Sequence, residues 1–274
     1  MPSRYEERAR QDIEARKNPK VGWFGRFAAA VNRPLDFGGE LLLKTPYVGQ
    51  VIERSVSGLV GIINEVVQAS VRPESIFEEY RKNGHHNAHD HVGLLSLDLE
   101  QIDRTMGFLA AKYNSIALTE GMLFGTMEFL GIPPDITALV TLNLRAIGEY
   151  ATYCGFDVSS QQERLFAMHV LGLATSPSDA SKNAAMAQLA KIAQEVAKKR
   201  TWKDLEKHAF VQIIQKIARA LGVRLTKAKL AQIVPVAGAA VGGGFNAHFT
   251  SKVCEASYFW YRERFLVAKY GDSF

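Results

Sequence analysis

The chain has 274 residues, 47% apolar and 22% charged, with a net charge of +5 and a pI near 9.1. That length can bury a large core, and that balance excludes a largely disordered chain. The positive charge favours anionic partners without choosing among them. Cys154 and Cys254 form no CxxC pair and no zinc framework, as expected for two small buried side chains in a reducing compartment.

The elements are taken in chain order. Residues 3–18 read as a charged helix, with Ser3 and Glu6 at capping-box spacing and Pro19 beyond its end. This segment lacks the apolar core of a secretory signal, so we expect a cytoplasmic protein. A connector, "NPKVGWFGRFAAAVNRP", sets Trp23, Phe24 and Phe27 among basic residues. Residues 38–69 are apolar, and Pro46 divides them into two amphipathic helices. A short helix spans 74–83, before the polar loop "NGHHNAHDHVG".

A helical period then runs from Ser96 to Leu130. After "GIPPD" it resumes over 136–153, with Asp135 placed to cap. "CGFDVSS" breaks the period before a helix over 160–174. Helices are expected over 178–200, 201–221 and 225–234, and from 236 to 268 after Pro235. No strand alternation is visible. The reading is an all-α, multi-helix globular domain over 38–274 with an N-terminal helical appendage over 1–37 and apolar helical hairpins.

Four features carry functional weight. The first is basic. Between Glu206 and Glu255 there is no Asp or Glu, while Lys207, Lys216, Arg219, Arg224, Lys227 and Lys229 lie beside Phe210, Ile213, Ile214, Ile217 and Leu221. A basic amphipathic helix suits the surface of an anionic membrane. It equally describes a core-facing helix whose outward face is basic. The stretch has no recognised helix-turn-helix or stacking platform, so no nucleic-acid partner is expected.

The second is "IVPVAGAAVGGGFNAHFTS", uncharged and glycine-rich. Gly238 and Gly242, then Ala239 and Gly243, repeat a small-xxx-small spacing that lets another helix approach closely; Asn246 follows. The third is a set of charges among apolar neighbours: Glu120, Asp135, Arg145 and Glu149, the last two at i, i+4. In a core they form a paired network, since an unpaired buried charge is too costly.

The fourth is the loop holding His85, His86, His89, Asp90 and His91. Such a concentration of ligands can hold a metal, although the flanking Asn and Gly residues suggest a polar loop. No HExxH, GxSxG, phosphate loop or dinucleotide fingerprint occurs, so catalytic residues and cofactors stay unassigned.

"AQIVPVAGAAVGGGFNAHFTSKVCEASYFWYRERFL" resembles the C-terminal signature of the EcsC protein family, and "YNSIALTEGMLFGTMEFLGIPPDITALVTLNLRAIGEYATYCGFD" resembles its middle segment. "YEERARQDIEARKN" is similar to its start. In the family's "YGFD"-like turn this chain has Cys154 between Tyr153 and Gly155. By resemblance, Gly121, Asp135, Arg145, Gly155, Asp157, Pro235, Gly238, Gly243 and Asn246 match the family pattern without assigned roles. The family takes its name from a bacterial gene beside ABC-transporter genes, which makes a transporter component a candidate partner.

Three readings follow. One is a cytoplasmic protein peripheral at the inner face of the membrane, an accessory or lipid-binding protein whose basic stretch meets anionic lipid. In it Phe210, Ile213, Ile217 and Tyr258 to Tyr261 add apolar contacts. The second is a metal-dependent hydrolase using His85 to His91. The third is a scaffold whose glycine strip docks a helix.

Overall fold

The computed structural model describes residues 1–17, 71–124, 132–176, 183, 185–190, 192–193, 212–213, 216–217 and 238–271, the side chains of 120–124, 132–137 and 238–245 excepted. The eight helices named below lie among these residues, with no strand among them. The helix pair expected at 38–69, the boundary at 37/38 and the helix at 225–234 lie outside them.

Helix α1, Arg4–Lys17, begins as its sequence predicts. The Ser3 N–H donates to Glu6 Oε2 at 3.0 Å, and the Glu6 N–H donates to Ser3 Oγ at 3.2 Å, closing a capping box. Helix α2, Pro73–Lys82, buries Ile76, Phe77 and Tyr80. A single turn, α3, His91–Leu94, follows, with Asp90 as its cap.

The long helix expected from Ser96 is three pieces of chain. Ser96 and Leu97 precede the helical run. Helix α4, Leu99–Met106, starts at Asp98, which accepts the Glu100 N–H at 2.8 Å while its own N–H donates to Gln101 Oε1 at 2.8 Å. The run breaks at Gly107, which has φ +51°, and Phe108, and the chain resumes as α5, Leu109–Phe124. A well-made cap and a glycine break override a continuous apolar period.

Helix α6, Ile132–Tyr153, starts earlier than the sequence reading has it. Pro133 and Pro134 lie in its first turn, where no backbone N–H is required, so Asp135 sits inside the helix rather than at its cap. Helix α7, Gln161–Ala174, is capped by Ser160, which accepts the Glu163 N–H at 3.2 Å. From Leu165 to Ala174 every residue is buried, as expected of a helix apolar all round. Helix α8, Gly238–Tyr270, has 33 residues and so spans roughly 50 Å.

Helix α8 organises the rest. It packs most extensively on α5, then on α6 and α7, and it also meets α1 and α4. Tyr113, Phe166, Phe249, Tyr261 and Phe265 are fully buried around it, each worth roughly 1.5–3 kcal/mol of apolar burial. Cys154 and Cys254 are buried free thiols.

The turn between α6 and α7 is sterically determined. Gly155 has φ +80°, and a Cβ there would lie 2.7 Å from the His91 carbonyl oxygen. Asp157 then accepts the Ser159 N–H at 2.8 Å and the Ser159 hydroxyl at 2.7 Å. Burial opposes ionisation of Asp157, but these two bonds prevail and hold its carboxyl below the ordinary value. The "CGFD" stretch is thus a left-handed turn followed by a side-chain-closed turn.

Candidate functional site

The C-terminal half of α8, "EASYFWYRERFLVAKY", carries five charges, each paired to another helix. Glu255 and Glu263 pair with Arg16 and Lys17 at the end of α1. Arg262 reaches Asp103 of α4 at 2.8 Å, with side-chain exposures of only 5% and 9%. Arg264 forms a bidentate pair with Glu163 of α7, its Nη1 donating to Oε2 at 2.5 Å. Lys269 Nζ donates to Glu6 Oε1 at 2.8 Å.

Two of these pairs are cores in their own right. The Arg264 guanidinium lies 4.1 Å from the Phe156 ring centroid and 4.2 Å from that of Phe166. Burial works against its charge, yet Glu163 overrides it and raises the Arg264 pKa. Around Asp103, Tyr5 donates from its hydroxyl at 2.6 Å, and Arg262 stacks 4.4 Å over Tyr258. Burial pushes the Asp103 carboxyl above its ordinary value despite these partners.

Glu6 is fully buried and serves two ends. Besides capping α1, it accepts the Leu99 N–H at 3.3 Å, Lys269 at 2.8 Å and the Tyr270 hydroxyl at 2.5 Å. Burial raises its pKa, but the bonds from Lys269, Tyr270, Ser3 and Leu99 outweigh it and leave the carboxyl below its ordinary value. Helix α1 is therefore fastened to α4 and α8 by a buried carboxylate.

The predicted Arg145–Glu149 pair forms, Nε to Oε1 at 3.5 Å, and Lys112 of α5 adds a closer contact to Glu149 at 2.7 Å. Burial, then the charge of Glu149, drives the Tyr113 phenol well above its ordinary range. The side chains of Glu120 and Asp135 lie outside the description.

In the histidine loop the side chains diverge. His86 and His89 are exposed, His85 tilts against Tyr80, and His91 stands edge-on to Phe77 at 5.2 Å. Asp90 accepts the Gly93 N–H at 2.7 Å and is occupied as a cap. Among the described residues no group of three or more His, Cys, Asp or Glu side chains is placed to hold a metal ion.

Of the basic residues, Lys216 is described and is exposed; Lys207, Arg219, Arg224, Lys227 and Lys229 lie outside the description. Ile213 and Ile217, expected to contact lipid, are buried in the core at 6% and 0% exposure. A Cβ on Gly172 would lie 2.6 Å from Ile213 Cδ1, so the missing side chain on α7 seats that isoleucine. His169 on the same helix is buried, and burial followed by the charge of Lys216 pushes its imidazole down to about 4.

The C-terminal aromatics are likewise turned inward. Trp260 and Tyr261 are buried, and Tyr258 and Phe259 are partly buried against the core. Aromatic rings beside basic residues signal a membrane interface in a sequence, but here the same rings stack on paired arginines and lysines. Phe210 lies outside the description. Gly238, Gly242 and Gly243 lie within helix α8, with Asn246 half-buried one turn on. Among the described residues no helix is long and apolar enough to cross a membrane.

A cavity of about 130 Å³ opens between the last turn of α1, the end of α7, Met186 and one face of α8. Ile13, Leu173, Ala174 and Trp260 give it apolar walls, and Arg16, Lys17, Lys252, Glu255 and Glu263 give it charge. Sequence reading missed this site, the buried carboxylates Asp103 and Glu163, and the second role of Glu6 in tying α1 to α4 and α8. The available signal was the i, i+4 spacing of Glu255 with Phe259 and the neighbouring Trp260–Glu263 pair, which repeats acid beside ring on one helix face.

The chain is similar to uncharacterized protein YdbA of Bacillus subtilis (strain 168), 25% identical over 199 residues covering 72% of this chain and 66% of that protein. It is also similar to protein EcsC of the same organism, 26% identical over 161 residues covering 59% of this chain and 62% of that protein. The alignments thus span just under two thirds of each relative's length. No solved structure matches. The EcsC protein family matches this chain over residues 51–266, which hold every position of the expected middle and C-terminal patterns but not the α1 segment. The chain belongs to the EcsC protein family.

Proposed function

We propose that the chain is a peripheral accessory protein that meets an anionic membrane surface, the inner face of the cytoplasmic membrane, by charge and without inserting apolar side chains. The observation carrying this reading is the burial of three described residues: Ile213 and Ile217 are buried in the core while Lys216 is exposed. The acid-free span around it adds Lys207, Arg219, Arg224, Lys227 and Lys229. Near an anionic leaflet each such residue contributes roughly 1 kcal/mol, weakened by salt. A membrane protein such as a transporter component is the partner class that such a surface would meet.

Charge reversal tests the location of the surface. Lys216→Glu with Arg219→Glu should weaken binding to anionic vesicles at least about tenfold. Lys82→Glu with Arg104→Glu makes the same change in net charge at two other sites, 70% and 78% exposed. Equal weakening by both pairs would show that net charge alone acts, and would end the assignment to this stretch.

A further inference from the structure

The cavity between α1, α7 and α8 has a definite chemistry, independent of the membrane reading. Two carboxylates flank two rings along one face of α8, Glu255 beside Phe259 and Glu263 beside Trp260. In each pair a cation sits between ring and acid. The Arg16 guanidinium is 4.2 Å from the Phe259 centroid and paired to Glu255. The Lys17 ammonium is 5.3 Å from the Trp260 centroid and paired to Glu263. A ring face beside a carboxylate is the arrangement that recognises organic cations.

The two halves differ in what is left over. Glu263 Oε2 is buried and has no hydrogen-bond partner among the described residues, although Lys17 engages Oε1. A buried charged acceptor left unpaired is unfavourable and calls for a donor. Trp260 is 6% exposed, and Ile13, Leu173 and Ala174 are buried beside it at 4%, 7% and 8%. A ligand for this half must bring an N–H and an apolar body. The volume, about 130 Å³, is close to that of cavities that hold one benzene-sized group. It has no room for a two-chain lipid.

We propose that this cavity binds a small primary ammonium ion with a short apolar body. The nitrogen donates to Glu263 beside the Trp260 ring, and the body lies against Ile13, Leu173 and Ala174. Lys17, 32% exposed in its side chain, holds the site as an internal competitor. Such partly exposed ion pairs are weak enough to be displaced.

The test is calorimetric titration of the full chain with hexylammonium, hexanol and tetramethylammonium chloride at constant ionic strength. Hexylammonium should bind saturably, and hexanol and tetramethylammonium at least about tenfold more weakly, one lacking the charge and the other the N–H. Glu263→Gln should weaken hexylammonium by about tenfold or more, and Lys17→Ala, at a surface position, should tighten it. Thermal melts confirm that each variant is folded. No saturable heat with hexylammonium, equal binding of hexanol, or an affinity unchanged in both variants would overturn the proposal.

Discussion

Breaking the Arg264–Glu163 pair should cost more than any surface change on this protein. Both side chains are nearly buried, at 9% and 8% exposure, and two hydrogen bonds join them. Removing one partner of such a pair leaves an uncompensated buried charge, which costs about 3–5 kcal/mol. Glu163→Gln keeps the shape and the backbone bond to Ser160 but strands the guanidinium. Arg264→Met strands the carboxylate and also removes the cation from the faces of Phe156 and Phe166. Each single change should therefore lower stability by about 3 kcal/mol, a large share of the 5–15 kcal/mol typical of a folded domain. Glu163→Gln with Arg264→Met removes both charges and should cost much less than the sum of the single changes, with a coupling of about 2 kcal/mol. Urea unfolding of the four proteins measures this. Single costs below about 1 kcal/mol, or simple additivity, would refute the reasoning.

Three further outcomes are expected. His169 is held neutral with a folded value of about 4 against its ordinary 6.5, so the unfolded chain gains a proton first as pH falls. Stability should be complete above about pH 6.5 and fall by about 3 kcal/mol as pH drops to 4, and His169→Phe should remove that slope in urea midpoints. Glu6 has a depressed folded value, so its contribution is present above the ordinary carboxylate range and is lost as pH falls through the folded value. Glu6→Gln should abolish that acid dependence and speed amide exchange in α1, and unchanged exchange would show that the buried carboxylate does not fasten the helix. Gly155→Ala forces a Cβ into the left-handed region and against the His91 carbonyl, costing about 2 kcal/mol. A melting temperature equal to that of the parent would count against the turn geometry.

Much of the helical plan is written locally. The Ser3–Glu6 capping box and the Arg145–Glu149 spacing each depend on residues within one turn, and both form. The break at Gly107 was hidden because Leu99, Ile102, Met106 and Leu109 keep an apolar period through it, and Asp98 with Gln101 is an equally local signal that a continuous reading passes over. The buried pairs are a different case. Arg264 and Glu163 are 101 positions apart, and Lys269 and Glu6 are 263 apart. In sequence, the charges of "YRERFLVAK" look like the solvated face of an amphipathic helix. Only the surrounding helices make them internal. The same reversal moves Ile213, Ile217 and Trp260 from a membrane contact to the core.

Vesicle sedimentation tests the central claim most directly. The full chain is mixed with neutral or anionic vesicles at low and at high salt. Charge-driven contact without insertion predicts binding to the anionic vesicles at low salt and release as salt screens the surface. Binding to neutral vesicles that survives high salt would mean that apolar groups insert, and binding to neither would remove the membrane from the account.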